Sequence, residues 1–257
     1  MEIAVSQFIM FVLVLTRISG LMLFAPIFGS SNVPAQTKIG LSAILSFIVF
    51  PALPVASIEL PTTLVGFAIA AAGELGVGVV IGFASSLLFV GFQLAGHLMG
   101  QQMGTALAAV FNPQFEGQVS VLGEFYFFIA IVLFVLINGH HLLLSALISS
   151  FKLIPLAAVH FPPQLPAKVS VMFGEIFSIG VRIAAPAVIA LLLSSVALGF
   201  IARTVPQMNL LIIGFPLRIG LGLAVIVLSL PLMVGAVSNV LSDLEKSLYT
   251  LVYLMRG

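Results

Sequence analysis

Apolar residues along this chain gather in long blocks and do not alternate with polar ones. Residues 75–115, 125–151 and 219–242 contain no Asp, Glu, Lys or Arg. At a helical rise of 1.5 Å per residue, about 20 apolar residues match the hydrocarbon thickness of a bilayer. A membrane β-barrel would instead show segments of roughly ten residues in which apolar and polar positions alternate. The pattern therefore predicts an all-α integral membrane protein with about six hydrophobic helical regions. They cover residues 7–28, 39–53, 64–104, 121–155, 169–201 and 208–240. Turn formers separate the first two regions: Gly29, Ser30, Ser31, Asn32 and Pro34. The second region is short for a crossing, whereas the third and fourth are too long for one perpendicular span. A Pro-rich polar stretch with Lys152, Pro155, His160, Pro162, Pro163, Pro166 and Lys168 marks the expected boundary between residues 1–165 and 166–257. The region around Arg203 and Pro206 is a tight connection, and residues 241–257 form a mildly amphipathic tail.

Composition strengthens the membrane reading. Of 257 residues, 61% are hydrophobic and 7% charged, where an average soluble domain carries about a quarter charged residues. So few charges cannot cover the surface of a soluble fold. The net charge of +1 gives nucleic acid no electrostatic footing. With no cysteine there are no disulfides or thiolate metal sites. Residues 8–15 resemble a signal-peptide core, but Glu2 precedes them and Arg17 interrupts the stretch, which favours a retained first helix. Alternating the loops puts Lys38, Arg203 and Glu116 on one side. The other side takes four basic and four acidic residues, so the positive-inside rule does not orient the chain.

Five charges stand inside apolar regions: Arg17, Glu74, Glu175, Arg182 and Arg218. An isolated charge there is costly, so each is expected to face protein or a watery path. Three basic groups with two acids fit structural pairing, within the chain or with partner subunits, better than a proton relay. Adjacent His140 and His141 point about 100° apart on a helix, a poor arrangement for one metal ion. No hydrolase motif or phosphate-binding glycine loop occurs, which argues against an enzyme, and nothing calls for a cofactor.

Residues 93–118 hold the densest pattern. Gln93, His97 and Gln101 form a polar stripe at a spacing of four, and Gly96, Gly100 and Gly104 form a small-residue face beside it. Such a face admits another backbone closely. Beyond it lies an apolar, charge-free run containing Leu107, Val110 and Phe111. The run ends at a turn, Asn112 and Pro113, after which the chain continues through Phe115, Glu116 and Gly117 to Gln118. Asn-Pro breaks a buried helix. Irregular backbone at membrane depth is tolerated only inside protein or beside a water-filled cavity. A hydrophobic constriction across a pore fits both features.

Several motifs also resemble one known family. They are Thr16-Arg17-Ile18-Ser19-Gly20, Phe28-Gly29, Val33-Pro34-Ala35 and Lys38-Ile39-Gly40. Further along come Gly96 to Gly104 with Asn112-Pro113, then Asn138-Gly139-His140-His141 and Ser149-Ser150-Phe151. Arg203-Thr204-Val205-Pro206-Gln207-Met208-Asn209 completes the set. In this order they are similar to the FliR family of flagellar export-gate proteins, over nearly the whole chain. Asn112 stands where an acidic residue is expected, and Lys38 where arginine is common. The resemblance implies a single-copy subunit of the type III export gate in the bacterial inner membrane, within the flagellar basal body. The injectisome gate shares the pattern, but this sequence leans flagellar. Expected partners are several FliP-like and FliQ-like subunits, FlhB-like and FlhA-like export components, and unfolded secreted substrates. Residues 1–165 then look FliP-like and 166–257 look like a FliQ-like hairpin. The implied plug loop covers about residues 104–118, and part of the assembly protrudes on the periplasmic side. A small-solute secondary transporter is the competing reading. It would require inverted repeats with helices broken at the midplane.

Overall fold

The computed structural model describes residues 2–30, 32–53, 60–105, 120–205 and 210–256. Its helices are α1 (Glu2–Phe24), α2 (Ala35–Val49), α3 (Leu64–Met103), α4 (Val121–Leu136), α5 (Gly139–Leu153), α6 (Gln164–Thr204) and α7 (Leu210–Leu254). No strand occurs among the described residues. Five helices are long and apolar enough to cross a membrane, and α4 with α5 adds a sixth if that bent pair counts as one span.

Differences from the sequence-based boundaries have local causes. The second apolar region extends back to Ala35 because Pro34, with φ of −56°, is set for helix entry. A 3₁₀ turn over Phe50–Ala52 then brings the candidate span to 18 residues. Lys38 remains tolerable in the first turns because its Nζ donates to Gly29 O at 3.2 Å. The fourth region breaks at Asn138, which takes left-handed backbone at φ of 58°. Gly139 follows because a β-carbon there would collide with the Phe134 ring. The amphipathic tail is no separate element; α7 carries it without interruption to Leu254.

The chain divides into two compact units, each discontinuous in sequence. The first comprises Met1–Leu88, Phe134–Phe173 and Leu241–Gly257. Its core includes the buried Leu13, Val14, Ile18, Val77, Ile81, Leu147, Leu248 and Leu251. Glycine lets α1 and α3 meet backbone to backbone: a β-carbon on Gly78 would strike Arg17 O, and one on Gly82 would come within 2.6 Å of Leu21 O. The Pro-rich stretch after α5 packs as a strap on this unit. His160 N donates to Met255 O at 3.3 Å, and Phe161 lies over Gly76.

The second unit comprises Phe89–Leu133 and Gly174–Val240. Phe89, Phe92, Met99, Tyr126 and Ala130 are buried in it, and the Tyr126 hydroxyl donates to Met99 Sδ at 3.5 Å. Gly91 and Gly180 admit α6 against α3, where a β-carbon on Gly180 would meet Gly91 O at 3.1 Å.

Candidate functional site

Two places concentrate polar chemistry in this apolar chain, and one lies in each unit. In the first unit Arg17 and Glu74 are wholly buried. Arg17 Nε donates to Glu74 Oε2 at 2.5 Å. Its Nη1 donates to Ser150 Oγ at 3.2 Å and its Nη2 to Ile154 O at 3.2 Å. The guanidinium carbon lies 4.4 Å from the centre of the Phe151 ring, within cation–π range. Glu74 Oε1 accepts the backbone N–H of Ala157 at 2.9 Å. Ala157 holds a φ of 64°, a conformation that side chains rarely adopt without such support. The pair thus joins α1, α3, the end of α5 and the following strap. It satisfies the condition under which a buried ion pair is tolerable, namely good geometry with further hydrogen bonds to each partner.

The other three charges are placed differently. Glu175 and Arg182 are exposed on α6, and neither has an ion-pair partner among the described residues. Arg218 on α7 has its Nε buried without a hydrogen-bond partner.

In the second unit, the third helix ends by a recognisable stop signal. Gly104 N donates to Gln101 O at 3.1 Å, and Thr105 N donates to Gly100 O at 3.1 Å. These bonds make a Schellman motif, and Gly104 supplies the left-handed residue it needs at φ of 82°. Thr105 Oγ1 adds a bond to Gly100 O at 2.9 Å. The chain re-enters helix at Ser120, whose Oγ accepts Gly123 N at 3.1 Å as an N-cap. Glu124 sits in the first turn of α4, where a carboxylate complements the helix dipole. Helix is thus switched off at one end of the expected plug segment and on at the other. Leu107, Val110, Phe111, Asn112, Pro113, Phe115 and Gln118 lie outside the described residues.

The glycine face packs against this restart. A β-carbon on Gly96 would strike Leu122 O, and one on Gly100 would lie 3.1 Å from both Ser120 Oγ and Thr105 Oγ1. The backbone that Gly96 admits is therefore the chain's own α4, whereas Gly100 makes room for the side chains of Ser120, Thr105 and Leu122. Gly104 does a different job as the helix cap, with the Phe215 ring 3.2 Å from its would-be β-carbon.

The polar stripe turned out to have a partner that spacing alone did not reveal. Gln93 Nε2 donates to Glu124 Oε1 at 2.8 Å. His97 Nε2 and Gln101 Nε2 are 3.0 Å apart. Gln93, His97, Ser120 and Glu124 line a cleft of about 360 Å³ between α3 and the start of α4. The α1–α3 contact at Gly78 and Gly82 was also missed, although its signal was the same spacing of four that marked Gly96 and Gly100.

His140 and His141 have ring centroids 4.3 Å apart, closer than helical rotation alone suggests. No group of three potential metal-binding side chains occurs among the described residues. Pro186, Pro216 and Pro231 lie within continuous helices, so they do not supply the unwound midplane segments of a transporter.

A family model described as bacterial export proteins, family 1, matches residues 8–244. The chain is 32% identical over 248 residues to the flagellar biosynthetic protein FliR of Bacillus subtilis (strain 168), covering 94% of each. It is 28% identical over 231 residues to the protein of the same name from Escherichia coli (strain K12), covering 90% of this chain and 87% of that one. The Aquifex aeolicus (strain VF5) protein of that name is 30% identical over 230 residues, with 90% and 88% covered.

Proposed function

Because this chain belongs to the bacterial export proteins, family 1, we propose that it is the single-copy subunit of the flagellar type III export gate, where it lines and plugs the channel. Membership makes it a membrane component of flagellar protein export, and its relatives are named as export or biosynthetic components, not as enzymes. In the finer reading, FliP-like and FliQ-like subunits assemble with it in the bacterial inner membrane, beside FlhB-like and FlhA-like components. Residues 1–165 stand in for a FliP-like subunit and residues 166–257 for a FliQ-like hairpin. Part of the assembly protrudes to the periplasmic side. The cargo is unfolded flagellar protein.

The observation that carries the plug assignment is the helix switch around residues 106–119. A Schellman stop at Gly104 and a serine start at Ser120 bracket a segment whose first part, residues 106–111, is apolar and without charge, with Glu116 as its one charged residue. A channel wide enough for an unfolded chain must be shut at rest, or ions would leak down the membrane potential. An apolar segment shuts it by excluding water. Because both flanking helices carry their own caps, the segment can leave the pore without unravelling either one.

Deleting residues 106–111 tests the assignment. The expected result is a complex assembled in near-normal yield, whose membranes leak small ions. A normally assembled complex that stays tight would remove the plug role. Failure of assembly would mean that the segment is structural.

A further inference from the structure

The chemistry that the plug assignment leaves unused lies in the cleft between α3 and the start of α4. Gln93 and His97 reach it from α3, and Ser120 and Glu124 from α4. His97 and Glu124 are half-buried and are the two ionisable side chains that line it. They stand on antiparallel helices, since Gln93 bonds Glu124, Gly96 abuts Leu122 and Gly100 abuts Ser120. A helical side chain leans toward the N-terminus of its own helix. His97 therefore leans back toward the level of Gln93 and Glu124, while Glu124 leans toward the level of His97. Gln93 engages Oε1 of the carboxylate, which leaves Oε2 for a second donor.

The contact that His97 makes fixes its protonation state. Its Nε2 lies 3.0 Å from Gln101 Nε2. An amide nitrogen only donates, so this Nε2 accepts, and the ring is neutral with its proton on Nδ1. A second proton turns Nε2 into a donor and breaks the contact as it stands. Gln101 is exposed and can turn to water, whereas the imidazolium shares its cleft with a carboxylate. An imidazole ordinarily titrates near about pH 6.5, so the exchange of partners falls in the physiological range. The other helices packed on α3 in this unit bring Glu175 and Arg182, both exposed on α6, and Arg218, which stands on α7 between the Phe215 and Gly222 that meet Gly104 and Met103. None of these three lines the cleft.

We propose that His97 and Glu124 form a proton-operated latch between α3 and α4. With His97 neutral, Gln93 alone ties the Glu124 carboxylate to α3. With His97 protonated, the imidazolium and the Gln93 amide hold its two oxygens together. The proton comes from water and returns to it, and no covalent bond between heavy atoms changes. A proton that adds an ion pair to the joined helices favours the joined state. The contact is therefore firmest between the ordinary carboxylate and imidazole ranges, about pH 4.3 to 6.5, and the gain is lost as pH rises through the upper one. What the latch holds together is the pair of capped helix ends on either side of residues 106–119.

The test follows the α3–α4 contact in the detergent-extracted export complex. Hydrogen–deuterium exchange of the backbone amides of residues 121–128 is compared at about pH 5.5 and about pH 8, either side of the imidazole range, after correction for intrinsic rates. The parent chain should exchange about two- to fivefold more slowly in acid, the range of an ion pair partly open to water. His97→Gln and Glu124→Gln keep hydrogen-bonding groups in the cleft but remove one charge, and each should lose the difference. His97→Lys stays charged at both values and should exchange slowly at both. Exchange in the parent chain that is independent of pH would overturn the proposal, even if no variant assembled. So would a pH difference that survives in either glutamine variant. Because the readout is the helix contact itself and not leakage, the latch and the plug assignment fail independently.

Discussion

Arg17 shows how one residue type can decide a local fold in an apolar chain. A guanidinium cannot stay unpaired away from water, so the chain surrounds it with Glu74, Ser150, Ile154 O and the Phe151 ring. Truncating one member leaves the other buried and unpaired, at a cost of about 3–5 kcal/mol. Arg17→Met or Glu74→Gln should therefore sharply reduce the amount of chain in the membrane. The double replacement Arg17→Met with Glu74→Leu should recover much of it, and quantitative immunoblotting of membranes reads the difference. A double variant no better than the singles would show that the charges do more than satisfy each other. Gly104 makes a separate case. Any side chain at a φ of 82° costs about 1–2 kcal/mol, and here it would also press on Phe215. Gly104→Val should lower the melting temperature of the detergent-extracted complex, while Gly199→Ala, in open space on α6, should leave it almost unchanged.

At the scale of elements, blocks of apolar residues located the described helices, with α4 and α5 merged into one region, because membrane-length runs without charge leave few alternatives. Partnerships were less legible. Spacing of four marked Gly96 and Gly100 as a face for close approach, but no sequence pattern said that the approaching backbone would be α4 at Leu122. Likewise Gln93 and Glu124 are 31 positions apart, and only the return of the chain through α4 brings them to 2.8 Å. The break at Asn138 carried a local signal, Asn138-Gly139 followed by two histidines, which a reading by charge-free length passes over because none of these residues is Asp, Glu, Lys or Arg. The intrachain role of the glycine face changes what a bulky replacement should do. Gly96→Leu should already disrupt the α3–α4 contact during folding of the single chain, giving a protease-sensitive product and little complex. Leu98→Ala should be mild. Protease resistance of Gly96→Leu equal to that of the parent chain would show that the contact is dispensable.

For the molecule as a whole, length and burial disagree with a free-standing bundle. Helices α6 and α7 have 41 and 45 residues, or about 60 and 68 Å at helical rise. Each is roughly twice the thickness of the hydrocarbon layer. Yet the most apolar parts of α6 and α7 are only 22% and 17% buried within the chain. Lipid can cover about half of each helix. The remainder would meet water as a row of exposed apolar side chains, such as Phe177, Leu223, Val227 and Leu228, unless protein covers it. The odd region lengths and the failed charge rule have the same origin if much of the surface is shaped for neighbours and not for a bilayer. Made alone, the chain should therefore be degraded within the cell, or recovered only as aggregates after detergent extraction. Made together with the other export components, it should persist and migrate as one large complex. Pulse-chase decay of the chain with and without those components gives the comparison, and size-exclusion chromatography of the extract gives the assembly state. A stable, monodisperse monomer made alone would mean that lipid or detergent suffices to cover α6 and α7, and the subunit reading of these helices would fall with it.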